Sequence, residues 1–122
     1  MDSMTENKKN EILFMQLVMS LSHSGMMQLG KVINPMTQKI EKDLIGAQAT
    51  IDLLTALLEK TKGNLSKSEE DILTSSISSL QLNYVDEIEE KKEEKKEEKI
   101  EEKKEEKIED TKEEKREEKK EE

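Results

Sequence analysis

The feature that most constrains this fold is the C-terminal part of the chain, which consists almost entirely of glutamate and lysine. Residues 86–122 contain 20 acidic residues, 13 basic residues and only three aliphatic ones. So little apolar surface cannot offset the conformational entropy that a segment loses when it joins a core. We therefore predict three regions: a flexible N-terminus (1–10), a helical domain (11–88) and a low-complexity Glu/Lys tail (89–122).

The tail repeats the motif EEKK with a period of four. On a helix, this period places like charges at positions i and i+4, and each such pair is unfavourable by a few tenths of a kcal/mol. Glutamate and lysine nevertheless have high intrinsic helix propensity. We therefore expect the tail to be helical or partly disordered.

Apolar residues recur at helical spacings in three segments of the domain. The first predicted helix covers residues 11–29, and Gly30 is its expected stop. Pro35 then predicts a turn, because proline disfavours the helical conformation of the residue before it. The second predicted helix starts between Thr37 and Asp43.

The second predicted helix ends at Lys62, before a left-handed exit at Gly63-Asn64. The third has the clearest start, because Ser66 and Glu69 form the S-x-x-E capping box. Both connections are short, so consecutive helices are expected to be antiparallel neighbours. The predicted fold class is all-α, a three-helix antiparallel bundle with a charged tail. A domain this small is marginal alone, so we also expect it to be oligomeric.

The apolar faces of these helices are the predicted interaction surface. Five residues of the second helix alternate at spacings of three and four, as in a coiled coil, and Leu53 and Leu57 widen this stripe. Methionines Met15, Met19, Met26 and Met27 give the first helix an adaptable apolar surface. The residues predicted to form the interaction face are Phe14, Leu17, Leu21, Leu44, Ala47, Ile51, Leu54, Leu58, Leu80 and Tyr84.

Candidates for chemistry are few. The chain has no cysteine and a single histidine, His23, without a second metal-ligating residue at helical spacing. Asp43, Asp52 and Glu59 of the second helix are the one carboxylate set to consider as ligands. We expect these carboxylates to be solvated charges, and we assign no catalytic, cofactor-binding or metal-binding residue.

Several classes of ligand are disfavoured by composition. The formal net charge of -9 and the lack of an acid-free basic cluster disfavour nucleic acid. No apolar run approaches the ~20 residues that span a bilayer. No phosphate-binding loop or other small-molecule motif is evident, and the absence of cysteine fits a reducing cytoplasm.

The order of residues along the chain resembles the bacterial family called domain of unknown function 1844, over residues 12–86. The residues that carry the resemblance are Phe14, Leu29-Gly30, Asn34-Pro35, Asp43-Leu44, Ala47, Ile51-Asp52, Leu54, Glu59-Lys60-Thr61-Lys62-Gly63-Asn64-Leu65, Glu69-Glu70, Leu80 and Tyr84-Val85. The resemblance implies a short, helical, cytoplasmic bacterial protein and no particular activity. The chain departs from the family in two places: it has Met36-Thr37-Gln38 where Thr-Gly usually follows the proline, and it carries the EEKK tail.

The leading hypothesis from the sequence is a non-enzymatic structural or protein-interaction module. It would self-associate or bind a protein partner through its apolar helix faces. The alternative is a small metal-dependent enzyme or regulator that uses the carboxylates of the second helix.

Overall fold

The computed structural model describes the backbone of residues 3–121 and the side chains of residues 5–117. It contains three helices: α1 (Ser3–Gln28), α2 (Leu44–Lys60) and α3 (Lys67–Glu121). Within the described residues there is no strand, only an isolated bridge between Asn34 and Lys39. The all-helical class predicted from the sequence is therefore confirmed. Contacts divide the chain into two units, Met1–Glu87 and Ile88–Glu122.

The end of α1 is set by Gly30, as predicted. Gly30 has a φ of 77°, the left-handed conformation that glycine adopts without steric cost. The amide of Lys31 donates to the carbonyl of Met26 and the amide of Gly30 donates to that of Met27, each at 3.0 Å. This pair of bonds is a Schellman motif, which satisfies carbonyl groups left free at a helix end.

The start of α1 differs from the prediction. The helix begins at Ser3, eight residues before the expected start at residue 11. Residues 3–10 are mostly polar, so they carry no apolar periodicity to reveal a helix, and the side chains of residues 5–10 are exposed. Their helix propensity extends the amphipathic segment that follows. Residues 1 and 2 of the predicted flexible N-terminus lie outside the described residues.

Side-chain caps define the starts of α2 and α3. The Asp43 carboxylate accepts a hydrogen bond from the amide of Gly46 at 3.0 Å, so Asp43 is the N-cap of α2. The predicted capping box is present before α3: the Ser66 amide donates to Glu69 Oε1 at 2.8 Å. The Glu69 amide donates in turn to Ser66 Oγ at 3.3 Å.

The three helices of the first unit alternate in direction. Three contacts join α1 and the residues just after it to α3 and the residue that caps it: Ser66 to Glu11, Leu80 to the position of Gly25, and Glu87 to Lys31. The residues of each pair are separated by almost the same length of chain, so α1 and the first part of α3 are parallel. Helix α2 is antiparallel to α1, because Gly46 lies near Gln28 whereas Thr50 lies near Gly25.

The core is formed by one face of each helix. Its buried members are Val18, Leu29, Ala47, Ile51, Leu54, Leu73, Ile77 and Leu80. Half-buried residues of all three helices and of the loop before α3 pack around them, including Phe14, Leu65 and Tyr84. Burial of this kind stabilises a domain by about 25 cal/mol per Å² of apolar surface.

Gly25 lies at the point where α1 contacts both neighbours. A Cβ atom at this position would lie 2.8 Å from Leu80 Cδ2 and 3.3 Å from Thr50 Cγ2. Leu80 is completely buried and has little room to move. The absence of a side chain at residue 25 therefore permits the close approach of the three helices.

Replacing Gly25 with leucine should lower the free energy of unfolding by about 1–3 kcal/mol, the usual cost of overpacking a core. Gly25→Ala should cost less, because its gain of up to about 1 kcal/mol in helix propensity offsets the contact with Leu80. Urea denaturation measures both. Ser20→Leu, at an exposed position of the same helix, is the control. A Gly25→Leu variant as stable as this control would contradict the close packing at residue 25.

Helix α3 continues through the Glu/Lys tail to Glu121. The described side chains from Glu89 to Glu117 are all exposed, and Ile100 and Ile108 are 54% and 56% exposed. Tertiary packing supplies most helical stability in proteins, and the described part of the second unit has no buried side chain to provide it. Partial disorder of the tail in solution stays a prediction.

Amide hydrogen exchange of the full chain tests this prediction within one helix. Amides of residues 89–117 should exchange almost as fast as in an unstructured peptide, since their local opening free energy is near zero. Amides of residues 70–86, on the core side of the same helix, should be strongly protected. Equal protection of the two segments would contradict a frayed tail.

Candidate interaction surface

Most residues of the predicted interaction face lie in the core of the first unit. Ala47, Ile51, Leu54 and Leu80 are buried. Only Leu17 is substantially exposed, at 49%. The buried members cannot reach a partner while the three helices remain packed, so the apolar surface available for binding lies elsewhere. The other five residues are half-buried and pack against the core: Phe14, Leu21, Leu44, Leu58 and Tyr84.

Among the described side chains of the three helices, the most exposed large apolar one belongs to α2. Ile45 is 87% exposed and Leu53 is 53% exposed. Ala49 and Ala56 are also exposed, and the spacings of four, four and three place all four residues on one side of the helix. We call Ile45, Ala49, Leu53 and Ala56 the α2 outer face. It lies opposite the buried side of the helix, so α2 is apolar on both sides.

Helix α1 adds apolar surface on its two flanks. Leu13 and Leu17 are 52% and 49% exposed. Ile12 and Met19 are exposed on the other flank, where two further methionines are half-buried. The methionine-rich surface predicted from the sequence is therefore accessible only in part. The antiparallel register places Leu17 at the level of residues 57–58 of α2. The flank formed by Leu13 and Leu17 therefore extends the apolar surface of α2.

The loop between α1 and α2 also exposes apolar side chains. Met36 is 93% exposed, and Ile33 and Ile40 are more than half exposed. Its tip is a tight turn in which the Gln38 amide donates to the Asn34 carbonyl at 2.7 Å. Gln38 has a φ of 56°, in the left-handed region that favours glycine.

A buried carboxylate fixes both stems of this loop. Glu87, near the end of the first unit, is 4% exposed. Its Oε1 lies 2.8 Å from Lys31 Nζ, and its Oε2 lies 2.8 Å from Lys42 Nζ. Each carboxylate oxygen therefore lies within ion-pair distance of a different ammonium group. We call Lys31, Lys42 and Glu87 the Glu87 clamp.

The two ammonium groups change the titration of Glu87. Contact with Lys31, and then with Lys42, lowers the pKa of Glu87 below its ordinary value of 4.5, although burial acts in the opposite direction. The folded state therefore binds a proton at Glu87 less readily than the unfolded state does. The clamp contributes its full stability above pH 4.5, and this contribution is lost as the pH falls through the lowered pKa.

The burial of Glu87 was not predicted, because this residue lies within the charged C-terminal segment. The sequence nevertheless contains a pattern that indicates this burial. Leu73, Ile77, Leu80 and Tyr84 follow one another at spacings of four, three and four, and Glu87 continues this series after three more residues. A glutamate on a core-facing position needs a cationic partner. The two lysines of the loop provide that partner.

The candidate metal ligands are not brought together. Asp43 caps α2, and Asp52 accepts a hydrogen bond from the side chain of Gln48 at 2.9 Å. Glu59 is exposed near the end of α2, and His23 is exposed on α1. Among the residues that the structure describes, no group of three histidine, cysteine or acidic side chains could hold a metal ion.

No helix in the described part of the chain is long and apolar enough to cross a membrane. This finding agrees with the sequence, in which no apolar run approaches the length of a membrane span.

The family model described as Domain of unknown function (DUF1844) matches residues 11–86, well over half of the chain. The chain belongs to this family. The matched DUF1844 region contains all of α2 and its outer face, and it ends one residue before Glu87. No curated protein and no solved structure matches the chain. The tail lies outside the DUF1844 match.

Substituting Glu87 with glutamine should lower the free energy of unfolding at pH 7 by about 1–2 kcal/mol, because a charge-assisted contact is lost. Solvent screening limits the cost, since Lys31 and Lys42 are 37% and 49% exposed and can be hydrated. Such a change shifts the melting temperature by about 4–8 °C per kcal/mol in a domain of this size. The near-ultraviolet signal of Tyr84, the single tyrosine, reports on the core.

The pH dependence provides the control for this prediction. The difference between the wild-type chain and Glu87→Gln should shrink as the pH falls below 4.5, because wild-type Glu87 then becomes protonated. Glu89→Gln, at an exposed position, should change stability by less than about 0.5 kcal/mol at any pH. A Glu87→Gln defect of constant size down to about pH 3 would argue against an ionic clamp.

Proposed function

We propose that the chain is a non-catalytic protein-interaction module of the cytoplasm whose docking site is the α2 outer face. The observation that carries the proposal is Ile45, a helical isoleucine that is 87% exposed on the same side as the exposed Leu53. Helices of globular proteins usually show a polar side to water, and a helix that is apolar all round is one that other elements cover. In the first unit, α1 and α3 cover only the buried side of α2.

The gain available from covering this face is substantial. Complete burial of one isoleucine or leucine side chain stabilises an interface by about 1.5–3 kcal/mol. Ile45 and Leu53 lie about two turns apart on a helix whose ends are fixed by the Asp43 N-cap and the Thr61 C-cap. A face presented on a rigid helix loses little conformational entropy on binding, so more of this free energy contributes to affinity.

The proposed docking site differs from the interaction face predicted from the sequence. The proposed class of function, a protein-interaction module, is the same. The predicted interaction face of α2 includes Ala47, Ile51 and Leu54, and those residues are buried in the core of the first unit. The opposite side of α2 is the one that a partner can reach. Its two small residues, Ala49 and Ala56, would permit another helix to approach closely between and beside the larger apolar side chains.

Photo-crosslinking in cells tests the proposal. The full chain is produced with p-benzoylphenylalanine in place of Ala49, on the α2 outer face. Irradiation should give one discrete covalent adduct of higher mass, whether its second component is another copy of this chain or a different protein. Adding Ile45→Glu should abolish the adduct, because a buried unpaired charge is strongly unfavourable at an interface.

The matched control carries the photoreactive residue at Ser78, an exposed position of α3 within the first unit. This variant should give no discrete adduct. The proposal fails if position 49 yields no adduct, or if positions 49 and 78 yield the same products. Circular dichroism of the Ile45→Glu chain should be unchanged, since residue 45 takes no part in the core.

A further inference from the structure

We propose that the occupant of the α2 outer face is a second copy of the same chain, with the two α2 helices antiparallel. This inference rests on the proposed function and names its partner. It follows from the distribution of charge along α2 and from the position of the exposed apolar residues between its ends.

The two ends of α2 carry opposite charges. Glu41 and Asp43 are exposed at its N-terminal end, where the intervening Lys42 is already paired with Glu87. Glu59, Lys60 and Lys62 are exposed at its C-terminal end, which keeps a net positive charge because two lysines outnumber one glutamate. In an antiparallel pair, the acidic end of each α2 lies beside the basic end of the other. A parallel pair would place like charges side by side at both ends, which is unfavourable.

Pairing Asp43 with Lys62 of the other copy fixes the register. The two-fold axis then passes close to Leu53, and the two Leu53 side chains meet there. Ala49 faces Ala56 of the other copy, so the two helices can approach closely at these small residues. Ile45 faces Lys60, whose four-carbon stem can cover an apolar side chain while its ammonium group stays in water.

Two further charges, Asp52 and Glu59, lie seven residues apart at one edge of the α2 outer face, where both can stay hydrated. Asp52 precedes Leu53 and lies on the edge of the outer face, where the Gln48 side chain donates a hydrogen bond to it at 2.9 Å. Both Asp52 carboxylates stay hydrated at the rim of the pair. On the opposite edge, Leu17 of each copy extends the apolar contact beyond the two Leu53 side chains.

Disulfide trapping of the full chain tests this geometry, because the natural sequence has no cysteine. Leu53→Cys should form a covalent homodimer on mild oxidation, since residue 53 lies at the two-fold axis. Ile45→Cys alone should not, because its two copies would lie roughly 22 Å apart at about 1.5 Å per residue. A disulfide requires Cα atoms within about 7 Å.

The decisive experiment oxidises a mixture of the Ile45→Cys chain and a size-tagged Lys60→Cys chain. These two variants should form a mixed dimer on oxidation, whereas neither should form one alone. Ser78→Cys, exposed on α3, is the control for random collision. Sedimentation of the untreated wild-type chain should show a dimer that Ile45→Glu converts to a monomer of unchanged helicity.

Efficient self-linking of Ile45→Cys, with no mixed product, would overturn the antiparallel register. A wild-type chain that sediments as a monomer at all concentrations would overturn the proposal of a second copy. These failures are distinguishable from failure of the proposed function. If the photo-adduct at position 49 contains a different protein, the interaction module stands and the second copy is excluded as its partner.

Discussion

The structure depends on one shared apolar contact, at which the three helices of the first unit bury leucine side chains against each other. Leu29, Leu54, Leu73 and Leu80 are completely excluded from water, and they come from α2, α3 and the residue that follows α1. Gly25 makes this contact possible, because a side chain there would press against Leu80. A helix obtains most of its stability from tertiary packing, so none of the three is expected to be stable without the others.

At the C-terminal end of the first unit, the Glu87 clamp adds an ionic contact to this apolar one. Beyond Tyr84, the described part of α3 has no further buried apolar side chain, yet the helix stays in contact with the α1–α2 loop through Glu87. The carboxylate joins both stems of the loop, since Lys31 lies just after α1 and Lys42 precedes the N-cap of α2. One buried charge thus orients the loop, the start of α2 and the end of the packed part of α3.

Much of this fold could be predicted from the sequence because it depends on local patterns. Gly30 and the Ser66-Glu69 box determine helix ends by backbone conformation and short-range hydrogen bonds, and both are recognisable in the sequence. Helix α2 ends at Lys60, two residues before the predicted end at Lys62, because Thr61 caps it. The buried positions of α2 followed from their spacing. The position of Glu87 was missed because its burial depends on two lysines that are distant in the chain. The start of α1 was missed because polar residues carry no periodic signal.

The site was the least predictable part, for a reason that concerns α2 itself. A helix with apolar residues on two sides gives a sequence pattern that does not indicate which side faces its own core. The regular spacing of five apolar residues made one side the obvious candidate for a partner, but the structure uses that side internally. These residues are Leu44, Ala47, Ile51, Leu54 and Leu58.

Leu53 looked like an extension of the same stripe, whereas it lies with Ile45 on the opposite side of the helix. The arrangement of three short helices decides between the two sides, since α1 and α3 can cover only one of them. This three-helix bundle therefore leaves one apolar side of α2 uncovered. A second antiparallel α2 is the smallest addition that covers that side while matching the opposite charges at its ends.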